Sequence, residues 1–413
     1  MLYGCLLALF LVLVETLAMS ARRTERVALP ASSIGARSEL VVHHYGPEGE
    51  DVPRCYLQAS LHADELPGML VCSHLIKLLD AAEQKGDIVK RICIVPYANP
   101  VGLAQNVLGS HIGRFSTATG INFNRNWLDV SDGLVAKFGG DGGGGELLRA
   151  GSAGSDAQAH NVRAVRRAIL AELDAKKSAV AEVEMKRRLL KIAATSDIVL
   201  DLHCDNDAVM HMYTHTRLWP QMSDLAAEIK SQCHLTASTS GGQPFDEVAS
   251  HLWAVLQDKF PDCPIPMACQ SVTVELRGES DVSDELASAD AAALFRFLQR
   301  RGYIKAPAEG LPPAPALVRD ASPLTAVDMI DAEVPGVVAW KVPLGALVKA
   351  GDLLAEIVNI ADPDAPRVPV ISRQAGLVFG RRRHALAVPG QTIIKVAGED
   401  ELNWRTGPLL TAK

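Results

Sequence analysis

A chain of 413 residues, 48% apolar and 22% charged, has the make-up of a soluble globular enzyme and, at about 150 residues per domain, room for two or three domains. Its formal charge of -7 gives no basic footprint for nucleic acid, and 5% aromatic residues leave few surfaces on which bases stack. The eight Cys include no C-x-x-C, and Cys55, Cys72 and Cys93 sit in apolar stretches, so they read as small buried hydrophobes of a reducing compartment.

In chain order, residues 6–14 are an apolar run too short to span a bilayer, with no Lys or Arg before it. An over-extended start, with Met19 as the true one and a cytoplasmic protein, is the preferred account; export on a signal peptide cleaved near Ala18-Met19-Ser20 is the alternative. Residues 39–45 and 54–61 predict strands, and Leu66-Pro67-Gly68 opens a helix over 66–83, since Pro suits a first turn. Residues 91–97 are a continuous Ile/Val strand of the kind covered on both faces. The Gly-rich stretch around 139–145 is not preceded by a strand and lacks the Lys-Ser/Thr end of a phosphate loop, so it reads as a mobile surface insertion. A charged helical stretch follows over 162–194, then strands over 198–203, 209–214 and 271–275, and an amphipathic helix over 284–301. Strands alternating with helices predict an α/β domain built on a mixed sheet flanked by helices.

After the stiff Gly310-Leu311-Pro312-Pro313-Ala314-Pro315 segment, two stretches echo each other: Gly336-Val337-Val338 leads to Gly351-Asp352, and Gly376-Leu377-Val378 to Gly390-Gln391. Duplicated short strands predict a small all-β domain. The expected organisation is an extension over 1–34, the α/β domain over 35–305, a linker over 306–323 and a β domain over 324–413.

The chemistry sits at strand ends. His62-Ala63-Asp64-Glu65 follows the apolar run 55–61, and Ile198-Val199-Leu200-Asp201-Leu202-His203 is a second buried-looking strand ending in His. Two imidazole nitrogens and one carboxylate oxygen, with a short spacer and then a long one, are the ligand set of a catalytic zinc site that keeps a position open for water. A chance surface H-x-x-E is the bland alternative. Two further strand-end signals weigh against it: Asn122-Phe123-Asn124-Arg125 after a Gly-rich turn, and Ser271-Val272-Thr273-Val274-Glu275 delivering a carboxylate. Cys204 beside His203 points to the opposite face of its strand, and the extra His211 and His215 read mainly as structural residues.

The order H-x-x-E, N-R, strand-D-L-H, strand-E resembles the succinylglutamate desuccinylase/aspartoacylase family of the zinc-carboxypeptidase-like superfamily, over residues 35–300 and into the C-terminal part. The resemblance implies that His62, Glu65 and His203 bind one Zn2+, that Glu275 is general base and proton shuttle, and that Asn124 and Arg125 hold a substrate carboxylate. One departure stands out. Aspartoacylase carries an Arg after an Asn-Pro pair to polarise the scissile carbonyl, whereas Asn99-Pro100 is followed here by Val101. That role passes to another group, with Arg114 the candidate, or to the metal. Asp201 is a candidate to orient a ligand His. The C-terminal part looks like a biotinyl/lipoyl-type fold, but residues 358–373, where a carrier Lys would sit, contain none, so it is read as structural or pocket-shaping. The expected function is a zinc-dependent deacylase acting on a small-molecule N-acyl amino acid or related amine, with no nucleic acid and no stable membrane partner. A homo-oligomer is left open. A metallocarboxypeptidase and a non-catalytic binding module on the same fold are the alternatives.

Overall fold

The computed structural model describes residues 22–140 and 147–410; the apolar run, the alternative start sites and most of the Gly-rich insertion lie outside them. Nine strands form one mixed sheet: β1 (Arg23–Ala28), β2 (Glu39–Tyr45), β3 (Arg54–Ala59), β4 (Arg91–Val95), β5 (Ile198–Asp205), β6 (His211–His215), β7 (Cys233–Ala237), β8 (Gln270–Gly278) and β9 (Ser322–Pro323). Their order across the sheet is β1-β2-β4-β3-β5-β8-β6-β7-β9. The centre, β4-β3-β5-β8, is parallel. Its strands are buried along nearly their whole length, as continuous apolar runs require when both faces are covered.

Alternation along β3 sends Cys55 and Leu57 to one face and Tyr56 to the other, so each face builds its own core. On one side Leu57, Leu200 and Leu202 meet Leu75 and Leu79 of α1 (Pro67–Gln84) and Phe297 of α5 (Asp284–Arg300). On the other, Tyr56, Cys93 and Val199 meet α2 (Asp156–Ala175), α3 (Ala181–Ala193) and α4 (Phe245–Lys259) through Ile169, Leu189 and Trp253. The stretch expected as one helix over 162–194 is thus two. Ser178 breaks it, its hydroxyl taking the Val180 N–H at 3.0 Å in a local turn that competes with helix.

Two expected boundaries move. The sheet starts inside the supposed extension, because β1 pairs with β2 from Arg23↔His44 to Ala28↔Glu39. It also ends inside the supposed linker, where Ser322–Pro323 pair with Leu235 and Thr236. Beyond lie two antiparallel sheets. One runs Val327–Asp331, Thr392–Ala397, Gly376–Arg381, Leu347–Val348; the other Val368–Ile371, Leu353–Val358, Gly336–Trp340, Leu386–Ala387. The echo in sequence has a shared cause: a Cβ on Gly336 or Gly376 would strike a carbonyl oxygen, of Val358 and Ala397 respectively. The module docks on the main domain through Leu324, Val327, Leu377 and Phe379 against Val209, Cys233 and Leu235. The described cysteines are free, all buried except the half-buried Cys263. Among the described residues no helix is long and apolar enough to cross a membrane.

Candidate metal centre

Strand β3 stops at Ala59, and the buried Ser60 adopts φ +59°, in the left-handed region. This bend swings the chain over the carboxyl edge of the sheet. Asn99 fixes it, donating from Nδ2 to Leu61 O at 2.9 Å while its Oδ1 takes the Gly102 N–H at 2.7 Å. His62 and Glu65 then sit on the turn that leads into α1, with His203 on the neighbouring β5. Glu65 lies between the two imidazoles: Oε1 is 2.7 Å from His62 Nδ1 and Oε2 2.7 Å from His203 Nδ1. The three side chains are buried, and their ligand atoms lie within 4.8 Å of one another.

The outer nitrogens decide what the inner ones present. His62 Nε2 meets Asn122 Oδ1 at 2.9 Å, and that oxygen also accepts the Asn124 N–H, so it faces the imidazole as an acceptor. His203 Nε2 donates to Asp201 Oδ2 at 2.8 Å. With protons held on both Nε2 atoms, a neutral imidazole turns its Nδ1 lone pair toward a carboxylate. Lone pair against anion is repulsive unless a proton or a metal cation stands between them. Burial disfavours the charge on His203, yet Asp201 and Glu65 outweigh it and hold its pKa well above the ordinary imidazole value. Burial likewise works against the Glu65 carboxylate, and the two imidazoles still keep it well below the usual range. At His62, burial and the Arg114 guanidinium, whose Nη1 is 3.2 Å from Nδ1, hold the imidazole pKa down and keep the ring neutral. Two inward nitrogens and a carboxylate gathered at one point fit a metal cation.

Behind His203 runs a buried relay. Asp201 Oδ1 accepts Gln58 Nε2 at 2.9 Å, and Gln58 Oε1 accepts the Tyr56 hydroxyl at 2.6 Å. Register explains it: Gln58, Asp201 and Thr273 are directly paired across β3, β5 and β8 and so share a face. One pleat further along the same face the ladder pairs His203 with Glu275. Glu275 Oε2 is buried without a hydrogen-bond partner, and burial, then the nearby Glu65 charge, push its pKa up to about 8. Both acid and base forms are therefore accessible near neutral pH.

His62, Glu65, His203 and Glu275 line a cavity of ≈ 140 Å³. Arg114 lies on its wall, with Nη1 3.0 Å from Glu65 Oε1. Asn124 and Arg125 also line it, but much of their bonding capacity serves the fold. Asn124 Oδ1 takes the first N–H of α4, that of Phe245, at 2.8 Å. Arg125 donates from Nη1 to Asn124 O and from Nη2 to Leu410 O, each at 2.7 Å, with its buried Nε unpartnered. Val101 packs against the apolar core from the short helix Pro100–Leu103. Cys204 gives only its backbone N–H, to Glu65 Oε2 at 3.2 Å. His215 lines the cavity, whereas His211 bonds Val209 O and stacks edge-on to Tyr213 and Phe379; burial pushes each down to about 4.

Sequence reasoning missed Tyr213, Asp246, Asp205 and Lys395, all on the cavity wall. Tyr213 precedes the cavity-lining His215 by two residues on β6, so strand periodicity could have found it. Lys395, from the C-terminal module, carries no local signal.

Residues 51–301 match the succinylglutamate desuccinylase/aspartoacylase catalytic domain. Among solved structures the chain is similar to two proteins described as of this type. For the one from Shewanella frigidimarina the TM-score is 0.76 at 21% identity, over 92% of this chain and 98% of that one. For the one from Shewanella amazonensis it is 0.76 at 22%, over 92% and 100%. The product-bound ectoine utilization protein of Ruegeria pomeroyi follows at 0.58 and 17%, over 91% and 94%. At such identities these likenesses establish the fold, and no curated protein sequence matches the chain. The family match spans more than half of the chain, and the chain belongs to the succinylglutamate desuccinylase/aspartoacylase family.

Proposed function

We propose that this protein is a zinc-dependent amide hydrolase that removes a small acyl group from an N-acyl amino acid or a related N-acyl amine. The observation that carries the reading is the convergence of two imidazole Nδ1 atoms and the Glu65 carboxylate beside a buried, partnerless Glu275 oxygen. Zinc held by His62, Glu65 and His203 would supply Lewis acidity and would lower the pKa of a water to about 7.

The remaining work falls to side chains. Glu275 takes the proton of the attacking water and delivers it to the departing nitrogen, so that the amide C–N bond breaks to a carboxylic acid and a free amine. Arg114, on the same wall, offsets charge that develops on the carbonyl oxygen, the task left open by Val101. Arg125 and Asn124 hold the substrate carboxylate with the donor capacity that the fold does not use. Leu324, Lys395 and Leu410 complete the cavity wall from the C-terminal part of the chain. That closure supports small substrates over the open groove a carboxypeptidase needs, and a pocket-shaping module over a carrier domain.

The test is a screen of N-acetyl, N-succinyl and other N-acyl amino acids against the zinc-loaded protein. Hydrolysis should be lost on chelation and in His203→Ala. Turnover that survives both treatments sinks the metal reading, and no turnover of any N-acyl compound sinks the deacylase.

A further inference from the structure

We propose that Lys395 is a positioning residue of this site: through Asp205 it locks together the ends of β5 and β8, and with them His203 and Glu275. The inference rests on the hydrolase reading above and extends it to the C-terminal module. Three ion pairs join that module to the main domain at or just past the ends of the two strands that carry the chemistry. Lys395 Nζ pairs with Asp205 Oδ2, Arg381 Nε with Asp207 Oδ2 at 2.8 Å, and Arg383 Nη1 with Glu279 Oε2 at 3.0 Å. Asp205 and Asp207 lie two and four residues beyond His203, and Glu279 four beyond Glu275. The backbone is stitched in the same place. Asp207–Ala208 adds a short strand to Gly376–Arg381, and Val209 N donates to Phe379 O at 2.9 Å.

The sheet itself leaves this junction unsupported. The β5–β8 ladder runs in register to Glu275↔His203, then shifts, and resumes only at Gly278↔Asp205. Asp205 is the node that bridges the gap. Its carbonyl accepts the Glu279 N–H at 3.0 Å, while its carboxylate meets Lys395. The fit is close, since a Cβ on Gly380 would lie 3.3 Å from Asp205 Oδ2 and 3.4 Å from Lys395 Cδ. The Lys395–Asp205 pair is also the most buried of the three, at 22% and 13% exposure against 46% and 29% for Arg383–Glu279. A partly dehydrated pair holds its geometry more firmly than an exposed one. Lys395 does this from the wall of the catalytic cavity, alongside His203 and Glu275.

The experiment compares Lys395→Met with Lys395→Arg in the full-length, zinc-loaded protein. In Lys395→Met, kcat should fall by about tenfold or more at nearly constant KM and undiminished zinc content, and Lys395→Arg should recover most of the loss. Amide exchange at Val209 and Glu279 should quicken by about tenfold in Lys395→Met and stay near wild type in Lys395→Arg. Unchanged exchange at both amides overturns the proposal, and so does a rise in KM with kcat kept, which would make Lys395 a substrate contact. If Lys395→Met does not fold, Lys395→Gln, which keeps a polar head but no charge, carries the same two measurements. The exchange measurement needs no turnover. Faster exchange in a chain that hydrolyses no N-acyl amino acid would refute the function and leave the positioning role standing.

Discussion

Replacing Asp201 by Asn tests the centre through a residue that is not itself a ligand. Asp201 is fully buried and holds two donors, His203 Nε2 at 2.8 Å and Gln58 Nε2 at 2.9 Å. An Asn keeps the shape and one acceptor oxygen for His203, but its amide nitrogen would face Gln58 Nε2. Gln58 can answer by turning its amide, because the Tyr56 hydroxyl it now bonds at 2.6 Å can accept as well as donate. The relay therefore rewires, and what is lost is the negative charge that makes the His203 imidazole a stronger base toward a metal. Outer partners of this kind are worth about 10–100-fold in metal affinity, or about 1.4–2.8 kcal/mol. Asp201→Ala removes the acceptor altogether and orphans two buried donors, at about 1–3 kcal/mol each, so it should cost about 2–6 kcal/mol of stability as well. Competition for zinc with a chromophoric chelator gives the affinity, and urea unfolding of the stripped proteins gives the stability. Asp201→Asn with wild-type zinc affinity, or Asp201→Ala with wild-type stability, would refute the reasoning.

Glu275→Gln keeps size but not basicity; kcat should drop by about 10²–10⁴-fold with zinc still bound, measured by metal analysis beside steady-state kinetics. Asp246, pushed up to about 7 by burial and then by the Asp201 charge, gives a pH signature. Its folded pKa exceeds its unfolded one, so the stability it leaves intact below the ordinary Asp range is lost as pH rises toward 7. In zinc-stripped protein, Asp246→Asn should therefore match wild type in Tm near pH 4 and exceed it at pH 8; an equal Tm at both would remove the basis of this expectation. A ten-residue peptide should survive prolonged incubation under conditions that hydrolyse an N-acyl amino acid, by mass spectrometry; stepwise loss of its C-terminal residues would promote the carboxypeptidase.

The sequence by itself determined the local frame of the centre. A run as largely apolar as 55–61 or 198–203 has both faces covered, which makes it an inner parallel strand, and the residues near its end emerge at the sheet's carboxyl edge. His62 follows β3 directly, and His203 and Glu275, though β5 and β8 run two and three residues further than expected, are the last pair before the ladder shifts. Glu65 follows its His by a short turn, so the neighbourhood of the four was legible from sequence. Strand periodicity likewise placed Asp201 on the face of His203. Tertiary structure alone decided the rest. Asn122 meets His62 across 60 residues and Lys395 meets Asp205 across 190, with nothing in either neighbourhood to announce the partner. The exposed edge strand β1 and the two-residue β9 were hidden too, since neither has an apolar pattern that demands a sheet. Apolar periodicity and turn chemistry act over a few residues and leave their mark there. Which charged side chain from a distant strand fills a gap in the ladder depends on how two separately formed cores dock, and that is written only in their combined shape.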